Sequence, residues 1–358
     1  MNYNLPPKIF INAFAKGLLK WNKLSNKRQM PWKGEKDPYK IWLSEIILQQ
    51  TRVEQGLGYY NRFVKTFPTV QQLAAAPEQE VFKLWEGLGY YTRCRNLIHS
   101  AKYIANELGG EFPKGFENIL ALKGVGPYTA AAIASFAYNL PHAVLDGNVF
   151  RVLSRVFDVE LPIDSTEGKK YFTQLAQQAL PKDKAGEYNQ AIMDFGATVC
   201  KPQPECAQCF FNQSCKAFLQ NKQAALPVKE KKLKTRERWF HYIVLQWKDE
   251  IGIRQRTEKD IWQSLWDVLL IEGDGKWDKA HLLSQLQKSY GIEPHQYEVI
   301  SAAANTSQKL THQHIHFSFL HLNLLQPLEL DGFIWVSPQK RDLYPFPKTL
   351  QAFLDKNV

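Results

Sequence analysis

From the start of the chain to about Ala225, apolar residues recur at three- and four-residue intervals, the spacing of one face of a helix. Two long stretches carry the pattern, KIWLSEIILQQTRVEQGLGYYNRFVKTF and EVFKLWEGLGYYTRCRNLIHSAKYIANEL, and Pro68, Pro77 and Gly109 punctuate it. Residues 1–226 therefore read as an all-α region. The segment that follows, PVKEKKLKTRER at residues 227–238, is polar and charged behind one leading proline, as an exposed linker would be. Over residues 239–358 the periodicity changes. Short β-rich runs, WFHYIVLQW, EIGIRQR, VLLIEG and HIHFSFLHLNLL, surround one helical stretch, DKAHLLSQLQKSY, which predicts an α+β domain. No internal repeat or low-complexity tract suggests a solenoid.

Composition narrows the setting. A chain of 358 residues with 44% hydrophobic residues can bury two or three cores, which excludes a mainly disordered protein. There is no run of about eighteen apolar residues, and the first residues lack an apolar core followed by a small-residue cleavage site, so a cytosolic protein is expected. A formal charge of +10 suits a polyanionic partner without specifying one. No feature points to an oligomer, and a monomer is expected.

Cysteine usage is more specific. Cys200, Cys206, Cys209 and Cys215 fall within the segment CKPQPECAQCFFNQSC, while Cys94 stands alone in a helical stretch and carries no evident chemistry. One contiguous loop with a single CxxC favours a shared metal centre over two distant disulfides. Structural zinc sites more often pair two knuckles across a longer insert, so a [4Fe-4S] cluster is the preferred reading over zinc.

Residues 118–138, NILALKGVGPYTAAAIASFAY, hold two helical patterns joined by Leu122, Lys123, Gly124, Val125 and Gly126. The glycines allow positive φ and close backbone approach, and the following helix presents free N–H groups. Such a turn can hold a DNA phosphate without reading bases, although an ordinary αα turn has the same outline. Two carboxylates stand near this element. Glu45 lies in IWLSEIILQ between apolar neighbours, and spacing alone favours a solvated stripe over a dry pocket. Asp146, in AVLDGNVFR, is placed as a helix N-cap, where an ionised carboxylate with a lowered pKa is expected.

The segments PWKGEKDPYKIWLSEIILQQTRV, WEGLGYYTRCRNL, LKGVGPYTAAAI, LDGNVFRVLSR and YNQAIMDFGATVC, with the cysteine loop, resemble the helix-hairpin-helix DNA glycosylases that carry an iron-sulfur loop, in particular the adenine-specific MutY family. The resemblance implies a monofunctional glycosylase that hydrolyses the bond to adenine mispaired with 8-oxoguanine or guanine in duplex DNA. It makes Glu45 the acid that protonates adenine at N7 and Asp146 the carboxylate that stabilises the cationic sugar, with Asn148 in support. Tyr128 stands where the endonuclease III branch has an attacking lysine, and Phe150 where some relatives have another, so a Schiff base is not expected. The same resemblance implies an adenine pocket of Trp32, Lys33 and Gln190, and duplex contacts from Gln49, Gln50 and Tyr90. Its first cysteine spacer is one residue shorter than usual, and Phe210 replaces a common proline.

The C-terminal region resembles the Nudix-like domain appended to these enzymes. Its helical stretch offers only Asp278 as an acid, so it is expected to bind and not to hydrolyse. Leu310, Thr311 and His312 match, with two changes, a loop that recognises 8-oxoguanine. His312, His314 and His316 alternate on one strand face. With no evident carboxylate or cysteine companion close by, a solvated strand is preferred to a metal site. Two other readings compete: a pyrimidine or thymine mismatch glycosylase on the same fold, and a catalytically idle iron-sulfur DNA-binding protein.

Overall fold

The structure, a computed structural model, describes residues 4–230 and 235–358. By contact the chain divides into two compact units: residues 1–75 with 96–231, and residues 76–95 with 232–358. Helices dominate the first two thirds: α1 (Lys8–Ser25), α2 (Pro38–Leu48), α3 (Val53–Thr66), α4 (Val70–Ala75), α5 (Glu78–Trp85), α6 (Tyr91–Glu107), α7 (Phe116–Leu120), α8 (Pro127–Tyr138), α9 (Gly147–Phe157), α10 (Thr166–Ala179), α11 (Ala185–Thr198) and α12 (Lys216–Leu219). Among the described residues no helix is long and apolar enough to cross a membrane.

Local chemistry sets the ends of these helices. Asp37 caps α2 by accepting from the Tyr39 N–H at 2.9 Å, with Pro38 in the first turn. Ser165 caps α10 through the Gly168 N–H. Gly168 itself is required there, because a Cβ would lie 1.9 Å from the Pro162 carbonyl oxygen. A core of α1, α9, α10 and α11 residues, including Phe14, Leu18, Leu153, Phe172, Ile192 and Phe195, organises one side of the first unit. The long apolar stretch around Glu45 is broken between Leu48 and Val53, and α2 is buried from Ile41 to Ile47 without interruption, packing on both α3 and α8. A helix enclosed in this way has no solvated stripe for Glu45 to occupy.

The second unit is built on a seven-stranded sheet of β1 (Arg236–Trp247), β2 (Glu250–Gln255), β3 (Trp266–Asp267), β4 (Leu269–Gly273), β5 (Tyr297–Lys309), β6 (Gln313–Leu324) and β7 (Phe333–Val336). The long β1 pairs in parallel with β6 and antiparallel with β2 and β4. Helix α13 (Lys279–Tyr290), capped by Asp278 through the His281 N–H, packs Leu282 and Leu286 against Ile243, Leu245, Leu320 and Leu322 of the sheet. Two further helices, α14 (Pro338–Arg341) and α15 (Lys348–Asn357), correct the expectation of a single helix. Phe353 of α15 stacks on Phe319 of β6 at 4.2 Å between ring centroids.

Two boundaries differ from the sequence reading. Arg236, Glu237 and Arg238, assigned to the linker for their charge, are the first residues of β1, paired with Gln313, His314 and Ile315. Their charge is neutralised by the fold: Arg238 is 6% exposed and donates to Asp260 and Glu272 at 2.6–2.9 Å. Linker residues 231–234 lie outside the described residues. The second departure is residues 76–95, which group with the C-terminal unit: Gln79 donates to the Leu343 carbonyl and Glu86 accepts from the Phe346 N–H.

Candidate active site

The fully packed α2 carries Glu45 into the interior, where it is 7% exposed. Burial pushes its carboxyl up to about 7; the Tyr128 hydroxyl opposes this, and the nearby charge of Asp146 adds to it. Tyr128, in the first turn of α8, stays a neutral phenol, because burial drives its own pKa well above the ordinary value. Its oxygen also lies 3.9 Å from the sulfur of Met193 on α11.

Asp146 caps α9. One carboxylate oxygen accepts from the Val149 N–H at 2.7 Å and the other from the Asn148 amide at 3.0 Å. Here the expected lowering of its pKa is overturned. Burial is the largest influence and raises it, while the N-cap bonds, the Asn148 side chain and Arg151 pull it down without prevailing. The two carboxyls remain unequal. Asp146 has several donors that favour its anion and Glu45 has a phenol, so Glu45 is the better placed of the two to carry a proton near neutral pH.

Asn148 is fixed from behind. Arg151, one turn along α9, donates to the Asn148 amide oxygen at 2.7 Å, to the Gly196 carbonyl at 2.8 Å and to the Cys200 carbonyl at 2.7 Å. Gly196 has to be glycine for this approach, since a Cβ would come within 2.7 Å of the Asn148 Cβ. One turn further on, Arg155 donates to the carbonyls of Lys201, Pro202 and Leu226 and lies 3.5 Å from the Cys200 sulfur. Helix α9 thus joins the Asp146 carboxylate to the backbone of the cysteine loop.

The four loop cysteines line one small cavity with Arg155, Phe195, Phe211 and Phe218. The Phe211 N–H points at the Cys209 sulfur at 3.4 Å. Burial is the main reason that Cys206, Cys209 and Cys215 are pushed up, and neighbouring cysteines raise each further. Four cysteines around one small cavity, in an apolar wall with an arginine and a backbone N–H beside them, are a donor set that a cationic metal centre would hold as thiolates. Cys94 is fully buried on α6, as expected of a packing residue.

Of the residues expected around the base, Lys33 and Gln190 are brought together and Trp32 is not joined to them. Lys33 and Gln190 both bond to Asp194, each at 3.0 Å, and Trp32 instead packs edge-on against Tyr60. Asp194, whose side chain is fully buried, also receives Arg28 at 3.0 Å and Asn26 at 2.8 Å. Sequence reasoning missed both Asp194 and Arg28; the signal was the four-residue spacing of Gln190 and Asp194 on one helix face.

In the hairpin, Gly124 takes φ +84° and packs against Asn96, where a Cβ would meet that side chain at 2.6 Å. Gly126, at φ −95° with open space around it, has no such need, which corrects the reading of both glycines alike. Leu122 and Val125 point into the core, leaving Lys123 and the glycine backbone exposed. Helix α2 stops at Leu48, and Gln49 leaves it to donate to the Thr129 hydroxyl at 3.2 Å, while Gln50 is exposed in the left-handed region at φ +56°.

In the second unit, Tyr90 adopts φ +50°, is 48% exposed, and its hydroxyl lies 2.6 Å from that of Thr311. Both border a cavity of about 480 Å³ that also takes in Leu310, His312, Arg95 and Lys348. His314 and His316 face a carboxylate that the sequence did not reveal, Glu237 on the adjacent β1, and His312 stands apart from them in the preceding turn. Helix α13 has no acid along its length, Asp278 being its cap.

Comparison with known proteins agrees with this architecture. Residues 43–182 match the HhH-GPD superfamily of base excision DNA repair proteins, and residues 241–356 match the NUDIX domain. A thermostable thymine-DNA glycosylase superposes with a TM-score of 0.55 at 28% identity, over 98% of its length and 59% of this chain. Fold and site together define a helix-hairpin-helix base excision glycosylase with a C-terminal NUDIX-type domain. The adenine DNA glycosylase of Buchnera aphidicola subsp. Baizongia pistaciae is 36% identical over 71% of this chain and 72% of its own. That of Homo sapiens is 42% identical over 58% of this chain and 40% of its own. The chain belongs to the adenine DNA glycosylase family.

Proposed function

We propose that this protein excises adenine from duplex DNA where it is mispaired with 8-oxoguanine or guanine, by hydrolysing the N-glycosidic bond and leaving the strand intact. The observation that carries the reading is the buried pair of unlike carboxyls, with Glu45 raised to about 7 and Asp146 receiving the Val149 N–H of the α9 N-terminus and the Asn148 amide. A flipped adenine needs a proton to become a leaving group, and Glu45 can give it near neutral pH. The sugar left behind is cationic, and the Asp146 carboxylate is the group to stabilise it. Glu45, once deprotonated, can accept the proton of the attacking water.

Hydrolysis without strand cleavage is supported by the lack of an amine at the two positions that matter. Tyr128 is a phenol engaged with Glu45, and Phe150 packs edge-on against Phe172. The Lys33 amine is tied to Asp194. Lys33, Gln190 and Trp32 are assigned to the base pocket, and the hairpin backbone, Lys123, Gln49, Gln50 and Tyr90 to the duplex. Cys200, Cys206, Cys209 and Cys215 would hold a [4Fe-4S] cluster, which when bound supplies a rigid staple for the loop and no acid-base chemistry. The cavity bordered by Tyr90, Leu310, Thr311 and His312 is assigned to the 8-oxoguanine opposite the target.

The test is single-turnover base release on duplexes with adenine opposite 8-oxoguanine, guanine or thymine, with strand breaks read before and after alkali. Release that is fastest opposite 8-oxoguanine, with breaks only after alkali, is the expected result. Thymine release, or tight binding without release, would replace this reading with one of the two competing ones.

A further inference from the structure

The first residues of β1 and β6 create a polar cluster that base excision does not use. Glu237 stands directly across from His314 in the parallel pair, and His316 follows two residues on, so all three side chains leave the same face of the sheet. A Glu237 oxygen lies 2.6 Å from His316 Nε2 and 3.1 Å from His314 Nδ1. The His316 ring is stacked on Trp239, with centroids 5.1 Å apart, which fixes the orientation of one nitrogen. Three donor atoms, one carboxylate oxygen and two imidazole nitrogens, thus fall within 4.8 Å of one another.

We propose that Glu237, His314 and His316 bind one divalent transition-metal ion of the zinc type. Zinc bonds of about 2.0–2.2 Å in a tetrahedron set donor separations of about 3.3–3.6 Å, and the two Glu237–imidazole spacings need to open by about 1 Å or less to reach them. Two imidazoles and a carboxylate match a borderline cation better than calcium or magnesium, which prefer oxygen donors alone. The exposed side of Glu237 leaves the fourth position to water. In such a site the ion replaces the hydrogen bonds that now join the three side chains. Its place in the fold gives it a consequence. The site closes the end of the turn at residues 310–312, where the Arg236 N–H donates to the His312 carbonyl at 3.0 Å and the Leu310 N–H to the Gln313 carbonyl at 2.7 Å. A metal there would tie β1 to β6 beside that turn. None of this depends on which base the protein removes.

The full-length protein with its cysteine loop metallated is titrated with zinc chloride by calorimetry, its metal content is measured after desalting, and the visible absorbance of the iron-sulfur cluster is followed throughout. The wild type is expected to take up one zinc more than Glu237→Gln/His316→Gln, with unchanged absorbance. His314→Gln or His316→Gln alone should weaken zinc by at least roughly tenfold, the lower bound for losing even an outer-shell group. Uptake and affinity equal in wild type and variants would overturn the site, whether the zinc had entered the cysteine loop or other histidines. Because the variants could lose stability, imidazole NMR of the wild type gives a second reading. The proposal requires the ring signals of His314 and His316 to move on adding one equivalent of zinc, and unmoved signals refute it.

Discussion

The Tyr128 phenol lies beside the carboxyl of Glu45 and favours its anion, while burial keeps the phenol itself neutral. Burial still prevails, and the acid titrates near the pH at which the enzyme would work. Excision should therefore be constant below about 7 on the Glu45 limb and fall as pH rises through it. Tyr128→Phe removes the hydroxyl that favours the anion and should move that limb to higher pH. Single-turnover rates against pH for both proteins measure this. A limb that does not move, or that moves down, would show that the phenol does not tune this acid.

The same shift has a cost in stability. An unfolded Glu45 ionises near 4.5, the folded one near 7. Below 4.5 both states carry the proton and the group contributes nothing. Between 4.5 and 7 the unfolded state loses its proton first, so stability falls with rising pH, by on the order of 3 kcal/mol in all, and stays reduced above. Glu45→Gln should abolish excision and raise the denaturation midpoint above neutral pH, with a smaller gain near pH 4.5. Urea unfolding at the two pH values decides, and a variant less stable than wild type at both would remove the linkage.

A third expectation concerns Asp194, whose fully buried carboxylate holds Arg28, Lys33, Asn26 and Gln190. Asp194→Asn leaves two cations facing a neutral amide. Each is only about one quarter exposed, so the loss should be about 2–3 kcal/mol. Freed from this anchor, Lys33 and Gln190 would no longer be held in place. Equilibrium unfolding and single-turnover excision should both suffer, and a variant with normal stability and altered excision would make Asp194 a contact of the base and not a positioning residue.

How much of this was legible before the structure depends on where the information lies. Helical periodicity and the shift to short β runs are local, and so are the cysteine spacing and the Asp146 cap, and these were readable. Glu45 was harder. Its neighbours from Ile41 to Ile47 are apolar apart from Ser44, which gives no polar stripe to orient it, and only the packing of α3 and α8 on α2 decides that it is buried. The direction of the Asp146 shift was misread because the cap is visible in sequence and its desolvation is not. Arg238 looked like linker because its two acids, Asp260 and Glu272, lie more than twenty residues away. Glu237 escaped notice as a companion of His314 for the same reason: a parallel pairing joins distant segments.

The hydroxyl contact between Tyr90 and Thr311 leads to the last prediction. It is exposed, and so is worth little to stability, but it borders the cavity assigned to the base opposite adenine. Both hydroxyls can donate or accept, and Thr311 is held at the turn between β5 and β6 by the Leu310–Gln313 backbone bond. Thr311→Val keeps the shape and removes the hydroxyl. Its melting temperature should stay within about 1 °C of wild type, since surface changes usually alter stability by no more than about 0.5 kcal/mol. Excision opposite guanine should hardly change, while the advantage of 8-oxoguanine over guanine should shrink several-fold, because a lost hydrogen bond is worth about 1 kcal/mol. Rates on the two duplexes measured side by side provide the check. An unchanged ratio would move lesion reading away from Thr311, and an equal loss on both duplexes would make the residue part of general DNA binding.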